Sequence, residues 1–280
     1  MTDPVTGPAS SLAPPTAAPR VAPLAHLAWR EAVVAAVVEE TADAHSLVLD
    51  VPHWPGHVAG QHVDVRLTAP DGYQATRSYS LSSGPGDAPT VTVQEVADGE
   101  VSTYLVRDVA VGDTLAVRGP IGGYFVWSGQ HRPLLLVGGG SGLAPLRAMW
   151  RAADPTAPVV VLASVTAPAR LLYAAELADR VRSGTTSATV HVTRAPAPPD
   201  APDAPDAADA ARPGGLPDAL TLRRGRVDPA SVAAAVEACG GVAADPAVFV
   251  CGPTSFVEAL VELLAGAGLD PRTVRAERFG

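Results

Sequence analysis

The sequence predicts two domains, an antiparallel β-barrel followed by an α/β unit with a doubly wound parallel sheet. Three observations carry that expectation. The chain has 280 residues, about twice a typical domain. After a Pro- and Ala-rich opening, short apolar alternations follow one another between turn residues. From about residue 131, continuous apolar runs alternate with helical periods, as strand–helix–strand units do.

Residues 1–28 are rich in Pro, Ala, Ser and Thr without an apolar period and are expected to be a mobile tail. The expected first domain, 29–130, carries strands at Ala32–Glu39, Ser46–Val51, His62–Leu67, Arg77–Leu81, Thr90–Val96 and Thr114–Arg118. Pro55-Gly56, Pro70-Asp71-Gly72, Gly84-Pro85-Gly86 and Gly112-Asp113 are among the turns that separate them. One amphipathic stretch, Val101–Val109, reads as a helix. The expected second domain, 131–280, opens with the apolar run Leu134–Val137, the texture of a strand buried on both faces. Helix Ala144–Ala153, strand Val159–Ser164, helix Leu172–Arg182 and strand Ala188–Val192 follow. Residues 195–218 break the rhythm with Pro, Ala, Asp and Gly and are expected to be an unstructured excursion. Helix Pro229–Cys239, strand Ala247–Cys251 and helix Ser255–Ala267 resume the alternation.

Composition narrows the function classes. The net charge is −9, and the twenty positive charges are all arginine. An acidic chain is repelled by nucleic acid and by anionic membranes, so neither is an expected partner. Cys239 and Cys251 are the only cysteines, too few for an iron–sulfur cluster or a disulfide framework. No apolar run approaches the ~20 residues that span a bilayer, and no signal peptide is evident, so a cytoplasmic protein is expected. His53, His57 and His62 lie close together, but Pro and Trp separate the first two and no acidic ligand accompanies them. No metal site is expected.

Chemistry is suggested by three segments. Gly138-Gly139-Gly140-Ser141-Gly142-Leu143-Ala144-Pro145 follows a strand and enters a helix. Glycines let such a turn approach a pyrophosphate, and the helix N-terminus offers free N–H groups. On strand Arg77-Ser78-Tyr79-Ser80, Arg77 and Tyr79 share a face, so that a guanidinium for phosphate stands beside a ring that can stack on a flat heterocycle. Gly99-Glu100-Val101-Ser102-Thr103 turns into a helix whose first amides suit a second phosphate, or is simply a helix capped at Ser102.

The ordered set of motifs resembles the ferredoxin–NADP reductase superfamily, which includes reductase components of bacterial oxygenases. It comprises Gly60-Gln61-His62-Val63, Arg77-Ser78-Tyr79-Ser80, Gly99 to Leu105, Gly119-Pro120-Ile121-Gly122, Gly138 to Pro145, Leu171-Leu172-Tyr173, Cys251-Gly252-Pro253 and Glu277-Arg278-Phe279. The resemblance covers about residues 29–280 and implies a flavin domain followed by a nicotinamide-nucleotide domain. It places Arg77 on the flavin pyrophosphate with Ser78 beside it, Tyr79 on the isoalloxazine and Ser80 near its N5. Val93 and Gln94 would pass beneath the adenosine side, and Gly99, Val101, Ser102 and Thr103 would wrap the pyrophosphate. Gly139, Gly140, Ser141 and Gly142 would meet the nucleotides, Ser141 touching both. Cys251, with Gly252 and Pro253, would lie beside the nicotinamide C4. Glu277 would approach the active site, and Phe279 would cover the flavin.

The resemblance thus implies FAD and NADPH as cofactors, with NADH possible. Hydride would pass to the flavin and single electrons to a ferredoxin or an oxygenase component. Reduction of ferric chelates or small molecules is the alternative within enzymes, and a non-catalytic electron-relay subunit the alternative outside them. A monomer is expected, without the iron–sulfur domain that many oxygenase reductases append. The 2′-phosphate would meet Thr193 and Arg194, with Arg224 and Arg226 adding charge. Many relatives carry an arginine two residues after the second parallel strand. Here Thr166 stands there, and Arg170 follows.

Overall fold

The computed structural model describes residues 27–193 and 216–279. Most of the expected tail (1–26) and residues 195–215 of the expected excursion therefore lie outside the described residues.

Strands β1 (Trp29–Thr41), β2 (Ala44–Asp50), β3 (His62–Thr68), β4 (Gln74–Ser80), β5 (Thr90–Gln94) and β6 (Thr114–Ile121) form one antiparallel sheet. Its order is β4-β3-β6-β1-β2-β5, and the bridge Leu81↔Val91 brings the two edges together as in a barrel. The alternation read from the sequence is the in–out alternation of the strands. Ala32 and Val34 are fully buried, while Val33 between them is 40% exposed. Helix α1 (Glu100–Arg107) buries Val101, Leu105 and Val106 against the barrel core of Leu47, Val65, Val91 and Val117. Each such side chain removed from water contributes about 1.5–3 kcal/mol.

The second sheet is wholly parallel. Its strands are β7 (Leu134–Gly139), β8 (Val159–Val165), β9 (Thr186–Val192), β10 (Thr221–Arg224), β11 (Ala247–Pro253) and β12 (Val274–Phe279), in the order β10-β9-β8-β7-β11-β12. Leu134 and Leu136 face one apolar cluster with residues of α2 (Leu143–Ala152) and α3 (Ala174–Arg182). Leu135 and Val137 face another with α4 (Pro229–Ala238) and α5 (Thr254–Gly266). Burial on both faces is why β7 is apolar throughout. The strand order reverses between β7 and β11, and at such a switch point the loops after the two strands diverge and leave a crevice.

Strands β10 and β12 are additions to the sequence reading. Both edge the sheet and carry charge, as in Thr221-Leu222-Arg223-Arg224, which hides them from a search for apolar runs. The halves share a core: Phe249 of β11 packs edge-on against Phe125 and Trp127 from the barrel side, at 5.3 and 6.2 Å between ring centroids.

Candidate active site

The glycine-rich turn sits at the switch point, and the chain's own packing dictates most of its glycines. A Cβ on Gly142 would lie 2.2 Å from the Cys251 carbonyl oxygen, so the turn after β7 rests directly on the backbone of β11. Gly139 and Gly252 both press on the Phe256 ring, where added Cβ atoms would stand 3.0 and 2.7 Å from it. Gly140 differs. Its φ is +55°, a left-handed conformation, and the nearest atom to an added Cβ is the Gln94 side-chain oxygen at 3.6 Å. The pyrophosphate explanation of the motif therefore has room at Gly140 but not at Gly142.

A cleft of about 390 Å³ runs along this junction, within the range of small-molecule sites. Arg77, Ser78, Tyr79 and Ser80 from β4 line one wall, with Gly99, Val101 and Ser102 at the start of α1. Ser141, Cys251 and Phe279 line it from the α/β side. Both halves thus build one cavity. Arg77 is exposed and donates to the Thr76 carbonyl at 2.8 Å, with no carboxylate paired to it among the described residues. Burial pushes the Tyr79 hydroxyl up to about 12, against the opposing charge of Arg77, so the ring stays neutral. The α1 helix is capped at Gly99, not Ser102. The Ser102 hydroxyl instead accepts from the Val96 amide and donates to the Gly99 carbonyl, which shapes the turn. The first-turn amides of α1 lack intrahelical acceptors, as in any helix, and face an anion well. A guanidinium paired with no carboxylate, a neutral flat ring and free amides along one cleft fit a flavin dinucleotide.

Cys251 is 2% exposed, and burial raises its thiol far above the usual range, aided by the nearby Glu277 carboxylate. It is a neutral, packed thiol, unlike a nucleophilic thiolate. Glu277 stands opposite Cys251 in the β11–β12 register, half-buried, and burial lifts its carboxyl to about 6.

A second cleft of about 400 Å³ joins the first at Gln94, which lines both. Gly139, Gly140, Thr166, Arg170, Thr193, Arg226 and Pro253 line it, over an apolar floor that includes Phe256 and Leu260. No Asp or Glu lines it among the described residues.

Residues 31–126 match the family of oxidoreductase FAD-binding domains. The ferredoxin reductase component of 3-ketosteroid-9-alpha-monooxygenase from Rhodococcus rhodochrous is 31% identical over 254 residues, covering 88% of this chain and 64% of that protein. The glycine betaine monooxygenase reductase subunit of Pseudomonas aeruginosa is 26% identical, covering 87% and 62%. Residues 31–126 thus carry an oxidoreductase FAD-binding domain, and the chain is similar over most of its length to ferredoxin reductase components of oxygenase systems. It spans less than two thirds of the length of these curated relatives. A similar two-part fold occurs in the FAD/NAD-binding domain of a nitric oxide dioxygenase from Vibrio cholerae, with a TM-score of 0.71 at 23% identity over 90% of this chain and 98% of that one.

Several residues that the superfamily resemblance singled out line neither cleft. Val93 is fully buried in the barrel core. Thr103 lies 3.5 Å from a Glu95 carboxylate oxygen, outside the cleft lining. Gly142 and Gly252 lie beneath the surface as packing glycines, Glu277 stands behind Cys251, and Arg224 projects from edge strand β10. Arg194 lies outside the described residues. Sequence reasoning missed Phe256, although glycines at 139 and 252 signal a bulky neighbour once the switch point is known. It also missed Asp43, whose partner Arg170 is 127 residues away. No described helix is long and apolar enough to cross a membrane.

Proposed function

We propose that the chain takes hydride from NADPH onto FAD and passes single electrons to a ferredoxin or an oxygenase component, as a cytoplasmic monomer. The observation that carries this reading is the shared cleft: Arg77–Ser80 of the barrel face Ser141, Cys251 and Phe279 of the α/β half across one cavity. Residues 29–130 act as the FAD-binding domain and 131–280 as the nucleotide-binding domain. The FAD-binding family match and the oxygenase-reductase relatives support the reading. FAD, when bound, supplies the conversion from two-electron to one-electron chemistry.

The chain's residues have the following roles. Arg77 and the first-turn amides of α1 neutralise the pyrophosphate. Tyr79, kept neutral, and Phe279, 39% exposed, line the same cleft and would offer their rings to the isoalloxazine. Ser80 offers a hydroxyl to N5. Gly140 and Pro253 admit the nicotinamide nucleotide at the switch point, while Ser141 and the Cys251 thiol fix the ring's position.

Two measurements test this. Mass spectrometry of heat-released cofactor should identify FAD; recovery of FMN alone, or no flavin after reconstitution, refutes it. In stopped-flow experiments, NADPH should reduce the wild-type flavin, and Cys251→Ala should keep its flavin but be reduced up to about a hundredfold more slowly. An unchanged rate would leave Cys251 a packing residue.

A further inference from the structure

The rim where the two clefts meet carries an ion pair that spans the halves. Arg170, in a single helical turn after β8, donates to a carboxylate oxygen of Asp43 at 2.6 Å. Asp43 belongs to the β1–β2 turn of the barrel. The same carboxylate oxygen accepts from the Gln94 side-chain amide at 3.1 Å, and its other oxygen accepts from the Thr41 hydroxyl at 2.9 Å. Gln94 in turn lies beside Gly140, at the entrance to the second cleft. Arg170 thus lines the nucleotide cleft while its charge is held by a carboxylate on the other half.

We propose that Asp43 is a gate on the nucleotide cleft: it holds Arg170 against the barrel, and a nucleotide phosphate must take Arg170 from it. This rests on the reading that the second cleft binds NADPH. Two features make the exchange accessible. The Arg170 side chain is 51% exposed and that of Asp43 22%, so the pair is weakened by solvent, as exposed pairs are. Once released, Asp43 keeps its hydrogen bonds from Thr41 and Gln94, so no buried carboxylate is orphaned. A phosphate offers Arg170 more negative charge than the carboxylate it replaces. The pair therefore lowers nucleotide affinity and sets how firmly the halves are latched when the cleft is empty. Asp43 acts through Arg170 and is a positioning residue.

The test is NADP⁺ titration of the flavin-loaded protein. Asp43→Asn should tighten binding by up to about fivefold, the size of an exposed ion pair. Arg170→Ala should weaken it, and adding Asp43→Asn to Arg170→Ala should change nothing further. A purely structural latch would give the opposite, with Asp43→Asn loosening the halves and weakening binding irrespective of Arg170. An unchanged or weaker affinity in Asp43→Asn, or an effect that persists without Arg170, overturns the gate. Flavin content and thermal melting check folding, and Asp43→Ser replaces Asp43→Asn should the latter not fold. Wild-type protein that holds flavin but binds no NADP⁺ refutes the reading of the second cleft itself. Wild-type binding with an indifferent Asp43→Asn refutes the gate alone.

Discussion

At the residue scale, Glu277 offers a test of what burial does to one carboxyl. Its ordinary value of 4.5 rises to about 6 because the side chain is desolvated behind Cys251. Below pH 4.5 the group is neutral in both folded and unfolded chains, and burial carries little penalty. Between pH 4.5 and 6 the unfolded chain gives up its proton while the folded one retains it. Wild-type stability therefore falls as pH rises through this window, and the deficit is complete above about 6. The shift corresponds to about 2 kcal/mol, reduced to about 1 kcal/mol by the partial exposure of the group. Glu277→Gln removes the charge at constant shape. Its melting temperature should match wild type near pH 4 and exceed it by about 2–4 °C near pH 8. Equal melting temperatures at both pH values would mean that the carboxylate is solvated in the folded chain. Single residues of this kind were legible as chemistry but not as environment. The motif Cys251-Gly252-Pro253 could be read for its chemistry, yet only the β11–β12 register puts Glu277 opposite the thiol.

At the element scale, the turn between β7 and α2 separates two reasons for glycine that one motif conceals. Gly142 has an ordinary helical backbone (φ −60°), but a Cβ would collide with the Cys251 carbonyl, which is backbone and cannot rotate away. Gly140 has a left-handed backbone and open space. Gly142→Ala should therefore force the switch point apart, at a cost of about 3 kcal/mol. Gly140→Ala should cost about 1 kcal/mol, through backbone strain. Denaturant unfolding of both variants decides it, and a Gly142→Ala protein as stable as Gly140→Ala would contradict the packing argument. Elements with strong periods were legible in the sequence: β7 is apolar because it is central, and α1 is amphipathic because it covers a barrel. Edge strands were not. In β12, Val274 is buried, but Arg275, Arg278 and Phe279 are exposed, so too few apolar residues remain to announce a strand. The Asp43–Arg170 pair was invisible for a different reason, because it joins two domains and no local pattern encodes it.

At the scale of the whole molecule, a chain of net charge −9 must attract a polyanionic nucleotide through local charge placed at its cleft. The second cleft offers such charge: Arg226 lines it, Arg170 joins once a phosphate takes it from Asp43, and no carboxylate lines it among the described residues. An enzyme built for NADH places an acid on the ribose 2′-hydroxyl, which would repel a 2′-phosphate. NADPH is therefore the expected donor. The opposing field comes from Asp200, Asp203, Asp206 and Asp209, which lie with Arg194 outside the described residues. At physiological salt, charges more than about 8 Å away are screened, whereas a direct Arg–phosphate pair is not, so contact outweighs net charge. Arg226→Ala should lower the kcat/KM ratio of NADPH to NADH by about tenfold, the loss of one charge-assisted hydrogen bond. The NADH constants should barely move, because only the 2′-phosphate loses a partner. Steady-state kinetics with both nucleotides settles the assignment. A wild-type preference for NADH, or a ratio indifferent to Arg226, would place the 2′-position elsewhere in the cleft.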